Sequence, residues 1–135
     1  MSWPFFADTA SAVEFIMCVA CWLMGLSHIV QPEMWRNYFT ELFQQGARGI
    51  ITRTFALELW PALLIVALHP VWSGPGIVLT FYGWLLLGKC TVSILVPKIG
   101  LQSLKLAQKG DQAFVAGGIV LIFIGSAAGL AFWWR

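Results

Sequence analysis

Two side chains of opposite charge, Glu58 and Lys89, interrupt long apolar stretches of this chain and are its first candidates for chemistry. Each lies about eight residues in from the same end of its stretch, which places both roughly 12 Å deep on adjacent helices. A lone charge in an apolar environment is costly, so the two are expected to form an ion pair. The pair is either a structural clasp that holds helix register or a proton- or ion-linked site.

Features around this pair favour a small binding cavity at the same depth. Pro61 has no N–H with which to bond the carbonyl of Leu57, one residue from the carboxylate. Trp60 supplies an aromatic wall. The third apolar stretch carries a polar stripe at helical spacing, which consists of Tyr82, Lys89 and Ser93.

A 4-3-4-3 spacing in the first apolar stretch produces a second polar stripe, which consists of Glu14, Cys18, Cys21, Gly25 and His28. Small and polar residues on one face pack helices closely in lipid, and the alternative is a face that lines a ligand. The stripe contains a C-x-x-C motif, but apolar surroundings disfavour the thiolate that redox chemistry needs.

The two histidines of the chain suggest a haem hypothesis. His28 lies near one membrane interface and His69 near the other, so both cannot bind one iron. One histidine with another ligand stays open. His69 is expected to meet Glu14 near a shared interface, and His28 lies at a depth comparable to Arg53. Hydrogen bonding at the interfaces is the simpler role for both histidines.

Three glycines of the fourth apolar stretch, Gly118, Gly125 and Gly129, share one helix face. The last two form a G-x-x-x-G pattern, which brings helices close together in membranes. The pattern serves either packing within the monomer or contact between copies. Four helices alone make a thin bundle, which favours a homo-oligomer.

The composition is that of a membrane protein. Hydrophobic residues make up 59% of the 135 residues and charged residues only 10%, whereas soluble domains carry about a quarter charged residues. The formal net charge is +2, and no basic block indicates nucleic-acid binding. Three cysteines, an odd number within apolar stretches, do not form a disulfide framework.

Four apolar stretches lie at about 10–30, 50–70, 75–97 and 113–134. Each has the ~20 residues that a helix needs to cross the hydrocarbon core. The prediction is one all-α domain over residues 1–135, an antiparallel four-helix transmembrane bundle whose first helix is retained and not cleaved as a signal peptide. Residues 32–45 are predicted to form a short amphipathic helix, whose aromatic stripe lies at the membrane surface or packs on the bundle.

Basic residues set the orientation through the positive-inside rule. Six lie in or beside the two longer loops, namely Arg36, Arg48, Arg53, Lys98, Lys105 and Lys109. The other side has only Arg135. Both long loops are therefore predicted to be cytoplasmic, and both termini to lie on the periplasmic or outer side of a bacterial inner membrane.

A sparse pattern runs through the first hundred residues, with Pro32 and Trp35 after the first span, His69 and Trp72 near the second turn, and Gly83, Trp84, Lys89 and Pro97 in the third span. In this pattern the chain resembles a family of small, uncharacterised bacterial four-helix integral membrane proteins. The resemblance implies the fold and no assigned activity.

A second resemblance concerns Glu14 in the first span, the stretch 72–79 and the glycine face within 118–129. These elements are similar to those of the small multidrug resistance transporters, four-helix proteins that act as dimers through a glutamate of the first helix. The chain departs from that family in its longer loop after the first span, its proline-containing turn at 72–76 and the position of Glu14 near the interface.

No Ser-His-Asp set, metal-ligand cluster or phosphate-binding loop is present in the sequence, so the chain is not expected to be an enzyme. The primary expectation is an accessory or assembly subunit of a larger membrane complex. The first alternative is a small proton- or ion-coupled transporter or channel with Glu58 and Lys89 as its site. The second is a haem- or lipid-binding membrane protein that uses His28 or His69. Bound lipid is expected, and no other cofactor is predicted.

Overall fold

In the computed structural model, which describes residues 6–134, every regular element is a helix. Four helices are long and apolar enough to cross a membrane, over Thr9–Val30, Ala47–Leu68, Gly76–Leu95 and Asp111–Trp133. The helical class and the four apolar helices of spanning length are confirmed, with ends within three residues of the predicted ones. Arg135, the one basic residue predicted for the opposite side, lies outside the described residues.

The elements in chain order are α1 (Thr9–Val30), α2 (Pro32–Gln44), α3 (Ala47–Arg53), a π-helical turn (Thr54–Glu58), α4 (Leu59–Leu68), α5 (Gly76–Leu95), α6 (Pro97–Ala107) and α7 (Asp111–Trp133). The second spanning helix consists of α3, the π turn and α4. The end of the molecule that carries α2 and α6 is called the loop side. The opposite end, with the turn between α4 and α5, is called the turn side.

Local chemistry sets the helix ends. α1 begins with a capping box, in which the Ser11 N–H donates to the Asp8 carboxylate (2.8 Å) and the Asp8 N–H donates to the Ser11 hydroxyl (3.3 Å). Pro32 opens α2, where its missing N–H costs nothing. Gly46 separates α2 from α3 at a φ of 63°, a left-handed conformation that favours glycine.

Two apolar cores hold the helices together. α1 packs along α7, and α4 packs against α5, which also contacts α7. The main core lies between these helices and consists of Val13, Met17, Cys21, Ile65, Leu79, Ile124 and Ala128. A smaller core on the loop side joins α2, α3 and α6 through Leu42, Ile50 and Leu104.

The aromatic face of α2 packs on the protein itself. The Trp35 ring stacks on His28 of α1 at a centroid distance of 4.4 Å, and Phe39 meets Phe114 of α7 at 5.3 Å. Trp35 Nε1 also donates to the Ser27 hydroxyl at 2.7 Å. The aromatic stripe was predicted either to lie at the membrane surface or to pack on the bundle, and in the structure it packs on the bundle.

The glycine face of α7 contacts α1 of the same chain. Gly118 and Gly25 lie so close that a Cβ at Gly118 would be 2.5 Å from the Gly25 carbonyl oxygen. Gly125 and Gly129 also face side chains of α1. The glycines thus serve packing within the monomer, the first of their two predicted roles, and this face is not open to a second copy.

Adjacent glycines of α7 give a matched test of this contact. Gly118→Ala should lower the free energy of unfolding by about 1–3 kcal/mol, because the new methyl group overpacks the α1 contact. Gly117→Ala should be neutral or slightly stabilising, since no described atom lies within 4 Å of its Cβ position and alanine favours helix. Reversible unfolding in mixed micelles, followed by circular dichroism, measures both. Equal effects would contradict the close approach of α1 and α7.

Candidate functional site

The second spanning helix departs from α-helical geometry at the level of the predicted site. Thr54–Glu58 form a π turn, in which the Leu59 N–H donates to the Thr54 carbonyl five residues earlier. Pro61, which has no N–H to donate, follows within the next turn. π turns of this kind are rare and frequently occur at functional sites.

The π turn brings Arg53 and Glu58 onto one face. In a regular α-helix, two side chains five positions apart would point about 140° apart around the axis. Here the wider turn aligns them, and Arg53 Nε lies 3.1 Å from Glu58 Oε1. The Nε–H does not make a hydrogen bond to that oxygen, so the contact is an ion pair without an aligned hydrogen bond.

Lys89 of α5 completes this group of charges, which is called the ionic cluster (Arg53, Glu58 and Lys89). Lys89 Nζ lies 3.1 Å from Glu58 Oε2, so the predicted ion pair is present.

The two residues of this ion pair lie at different depths along their helices. Glu58 lies about 17 Å and Lys89 about 9 Å from the loop-side ends. Side chains lean toward the N-terminus of their helix. Because the two helices run in opposite directions, Glu58 leans toward the loop side and Lys89 away from it, which closes the difference in depth.

Arg53 is the most deeply buried member of the ionic cluster, with 2% of its side chain exposed. Its Nη2 donates to the Ser93 hydroxyl at 3.1 Å, and its Nη1 donates to the Ser103 hydroxyl of α6 at 3.4 Å. From the sequence, Arg53 was predicted as a loop-side charge at a depth comparable to that of His28, and not as a site residue. The available signal was its place about six residues inside an apolar helix, where a charge needs partners.

A cavity of about 370 Å³ lies beside the ionic cluster, between α1, α2, the second spanning helix and α5. Most of its wall is apolar, and the predicted aromatic residue Trp60 is part of it. Its polar lining groups are Glu58, Lys89, Tyr82 and His28. The volume lies at the lower end of the range of roughly 300–1,000 Å³ found for ligand pockets.

His28 is one of the residues that line this cavity. Its Nδ1–H donates to the Met24 carbonyl at 2.7 Å, because a carbonyl oxygen can only accept. In the neutral ring this bond leaves Nε2 as the acceptor, and no hydrogen bond from the described residues reaches it. The stacked ring of Trp35 holds the imidazole in place.

A second polar cluster lies on the turn side. Glu14 and His69 are both fully buried, and Glu14 Oε1 lies 2.8 Å from His69 Nε2, so the predicted meeting of these residues is present. The other ring nitrogen, Nδ1, lies 3.0 Å from the Thr80 hydroxyl oxygen. Thr80 of α5 was not among the predicted site residues. The cluster ties α1, the end of α4 and α5 together.

The hydrogen bonds of Thr80 determine which nitrogen of the His69 ring carries a hydrogen. The Thr80 hydroxyl has one hydrogen, and its nearest acceptor is the Val71 carbonyl at 2.6 Å. Nδ1 must therefore carry a hydrogen and donate it to Thr80 Oγ1. Nε2 of the same ring faces Glu14 Oε1 at 2.8 Å, so the imidazole bridges Thr80 and Glu14.

The structure separates the two histidines, as their depths predicted. Both ring nitrogens of His69 have partners, which leaves none for an iron atom. His28 keeps Nε2 for a ligand. Among residues 6–134, no group of three or more His, Cys, Asp and Glu side chains could hold a metal ion. Cys18 and Cys21 are free thiols, and Cys21 belongs to both the main core and the cavity wall.

Comparisons with protein-family models, with curated proteins and with solved structures gave no significant match. The two resemblances noted in the sequence therefore stay predictions.

Two threonines of α5 test the turn-side cluster. Thr80→Val keeps the shape of the side chain but removes the hydroxyl that serves His69 and the Val71 carbonyl, which should lower the free energy of unfolding by about 1–3 kcal/mol. Thr91→Val is the matched control, since its exposed hydroxyl bonds the Leu87 carbonyl of its own helix, and its effect should stay within about 0.5 kcal/mol. Unfolding in mixed micelles measures both. An effect of Thr80→Val as small as that of the control would contradict the network.

Proposed function

We propose that the protein is an antiparallel four-helix transmembrane bundle that binds a lipid-like, amphipathic molecule in the cavity beside Glu58 and Lys89. The observation that supports this function is an apolar cavity with the ion pair of Glu58 and Lys89 in one wall. A structural clasp needs the ion pair but not the cavity. An amphipathic ligand uses both, because its tail contacts the apolar wall and its head contacts the polar groups.

The extent of the cavity supports a ligand that comes from the membrane. Met17 and Cys21, near the middle of α1, line one part of it. His28 and Trp35, at the loop side, line another part. The cavity therefore runs from mid-helix to one end of the helices, which is the direction in which a lipid of one leaflet lies. Tryptophan at that end suits the level of the head groups.

Filling the cavity tests this function. Ala20 lines the cavity, so Ala20→Phe should place a ring in the ligand volume and remove most of the bound amphiphile. Ala116→Phe is the matched control, because Ala116 is exposed on α7 and is not a lining residue. Native mass spectrometry after gentle detergent extraction measures the bound ligand, and circular dichroism checks that both variants remain helical. Equal ligand content in wild type and folded Ala20→Phe, or no ligand in the wild type, would refute the function.

We propose further that the loop side faces the cytoplasm of a bacterial inner membrane and that both termini lie on the periplasmic side. The support is the positive-inside rule, because the basic residues of α2, α3 and α6 outnumber those of the turn side.

Cysteine labelling tests this orientation. In a background with Cys18, Cys21 and Cys90 replaced by alanine, Ser73→Cys on the turn side should react with a membrane-impermeant maleimide in intact cells. Lys105→Cys on the loop side should react only after the membrane is permeabilised. Both replaced side chains are exposed in the structure, so access depends on the side of the membrane. The reverse labelling pattern would show that the protein has the opposite orientation in the membrane.

The other functions predicted from the sequence stay proposals. An accessory subunit should co-purify with a larger complex, and a homo-oligomer would need a contact other than the glycine face of α7. A proton- or ion-coupled transporter would use Glu58 and Lys89. It would also need a path past the main apolar core, which lies between the cavity and the turn-side cluster. The lipid-like ligand needs no such path, which is why the geometry supports it best.

A further inference from the structure

We propose that the ligand is an acidic amphiphile, an apolar chain with one negative charge on its head, and that Lys89 binds this head in exchange for Glu58. The inference rests on the proposed function, because it names the ligand class of the same cavity. Two membrane sources supply this chemistry, the carboxylate of a free fatty acid and the phosphodiester of phosphatidylglycerol.

The charges of the ionic cluster do not balance. Arg53 and Lys89 contribute two positive charges and Glu58 one negative charge, and no other carboxylate of residues 6–134 forms an ion pair with either cation. An apolar interior screens charge poorly, so the excess positive charge attracts an anion. A head with a single negative charge makes the cluster and its ligand neutral together.

The two cations differ in their freedom to move. Arg53 is almost completely buried, and the hydroxyls of Ser93 and Ser103 hold its guanidinium. The side chain of Lys89 is 48% exposed and lines the cavity. Arg53 therefore keeps Glu58, and Lys89 turns toward the ligand. Lysine suits this role because its ammonium group sits on a flexible four-carbon stem.

Glu58 is then an internal counter-ion that competes with the ligand for Lys89. This role differs from that of a carboxylate that binds the ligand, because removal of the negative charge should strengthen binding of an anion. The same competition sets selectivity. The zwitterionic head of phosphatidylcholine brings its own positive charge and leaves the excess charge of the cluster uncompensated.

Binding to purified protein in a neutral detergent tests the exchange, with oleate, phosphatidylglycerol and phosphatidylcholine as separate probes and native mass spectrometry as the readout. Lys89→Gln should weaken binding of the acidic probe about tenfold, as expected for the loss of one charge-assisted contact. It should leave phosphatidylcholine unchanged. Lys89→Arg, which keeps the charge, should retain most of the affinity. Because Lys89 is half-exposed, both variants are expected to fold.

Glu58→Gln provides the opposite test. It should bind the acidic probe more tightly than the wild type does, and weaker binding by the folded variant would overturn the exchange. If the loss of charge next to buried Arg53 prevents folding of Glu58→Gln, the Lys89 variants alone test the proposed exchange. Equal affinity of wild type and Lys89→Gln for both acidic probes would then overturn the proposal. The probe that responds to Lys89→Gln, oleate or phosphatidylglycerol, identifies the source of the head.

Failure of this inference and failure of the proposed function give different results. If phosphatidylcholine binds as tightly as the acidic probes and Ala20→Phe blocks it, the acidic head is refuted and the cavity remains a lipid site. If no probe binds, or if Ala20→Phe changes nothing, the cavity function itself is refuted.

Discussion

Glu58 carries its charge well inside the second spanning helix, and the arrangement around it follows from the cost of leaving that charge uncompensated. A regular α-helix would turn Arg53 to a different face. The π turn at Thr54–Glu58 removes this obstacle and places guanidinium and carboxylate on one face. Lys89 then approaches from α5, and Ser93 fixes the guanidinium from the same helix. One buried carboxylate thus joins the second and third spanning helices.

The two polar clusters at opposite ends of the helices differ in a way that bears on their roles. The turn-side cluster of Glu14, His69 and Thr80 is fully buried, and its hydrogen bonds tie α1, the end of α4 and α5 together. The ionic cluster has an excess positive charge, and Lys89 reaches a cavity. The buried hydrogen-bonded network suits stability, whereas the half-exposed Lys89 suits binding. The main apolar core separates the two.

The polar stripe of α1 shows how one helix face serves both purposes that its composition suggested. Gly25 packs against Gly118 of α7 and brings the two helices into close contact. Cys21 and His28, on the same stripe, line the cavity. Close packing at Gly25 therefore holds α1 in the position in which Cys21 and His28 form a wall of the cavity. The Trp35 ring, stacked on His28, extends that wall to α2.

The sequence by itself determined the four apolar helices, because hydropathy and length depend only on local composition. It also predicted the pairs of Glu58 with Lys89 and of Glu14 with His69, because polar groups inside apolar helices need partners. The equal depth of about 12 Å predicted for Glu58 and Lys89 was wrong, and the opposite lean of the two side chains makes up the difference. Only the tertiary structure decided what completes each pair. Arg53 joins Glu58 through a π turn that no regular spacing predicts, and Thr80 joins His69 across a turn whose conformation depends on packing. The cavity also depends on the tertiary structure, since it is the space that several helices leave between them.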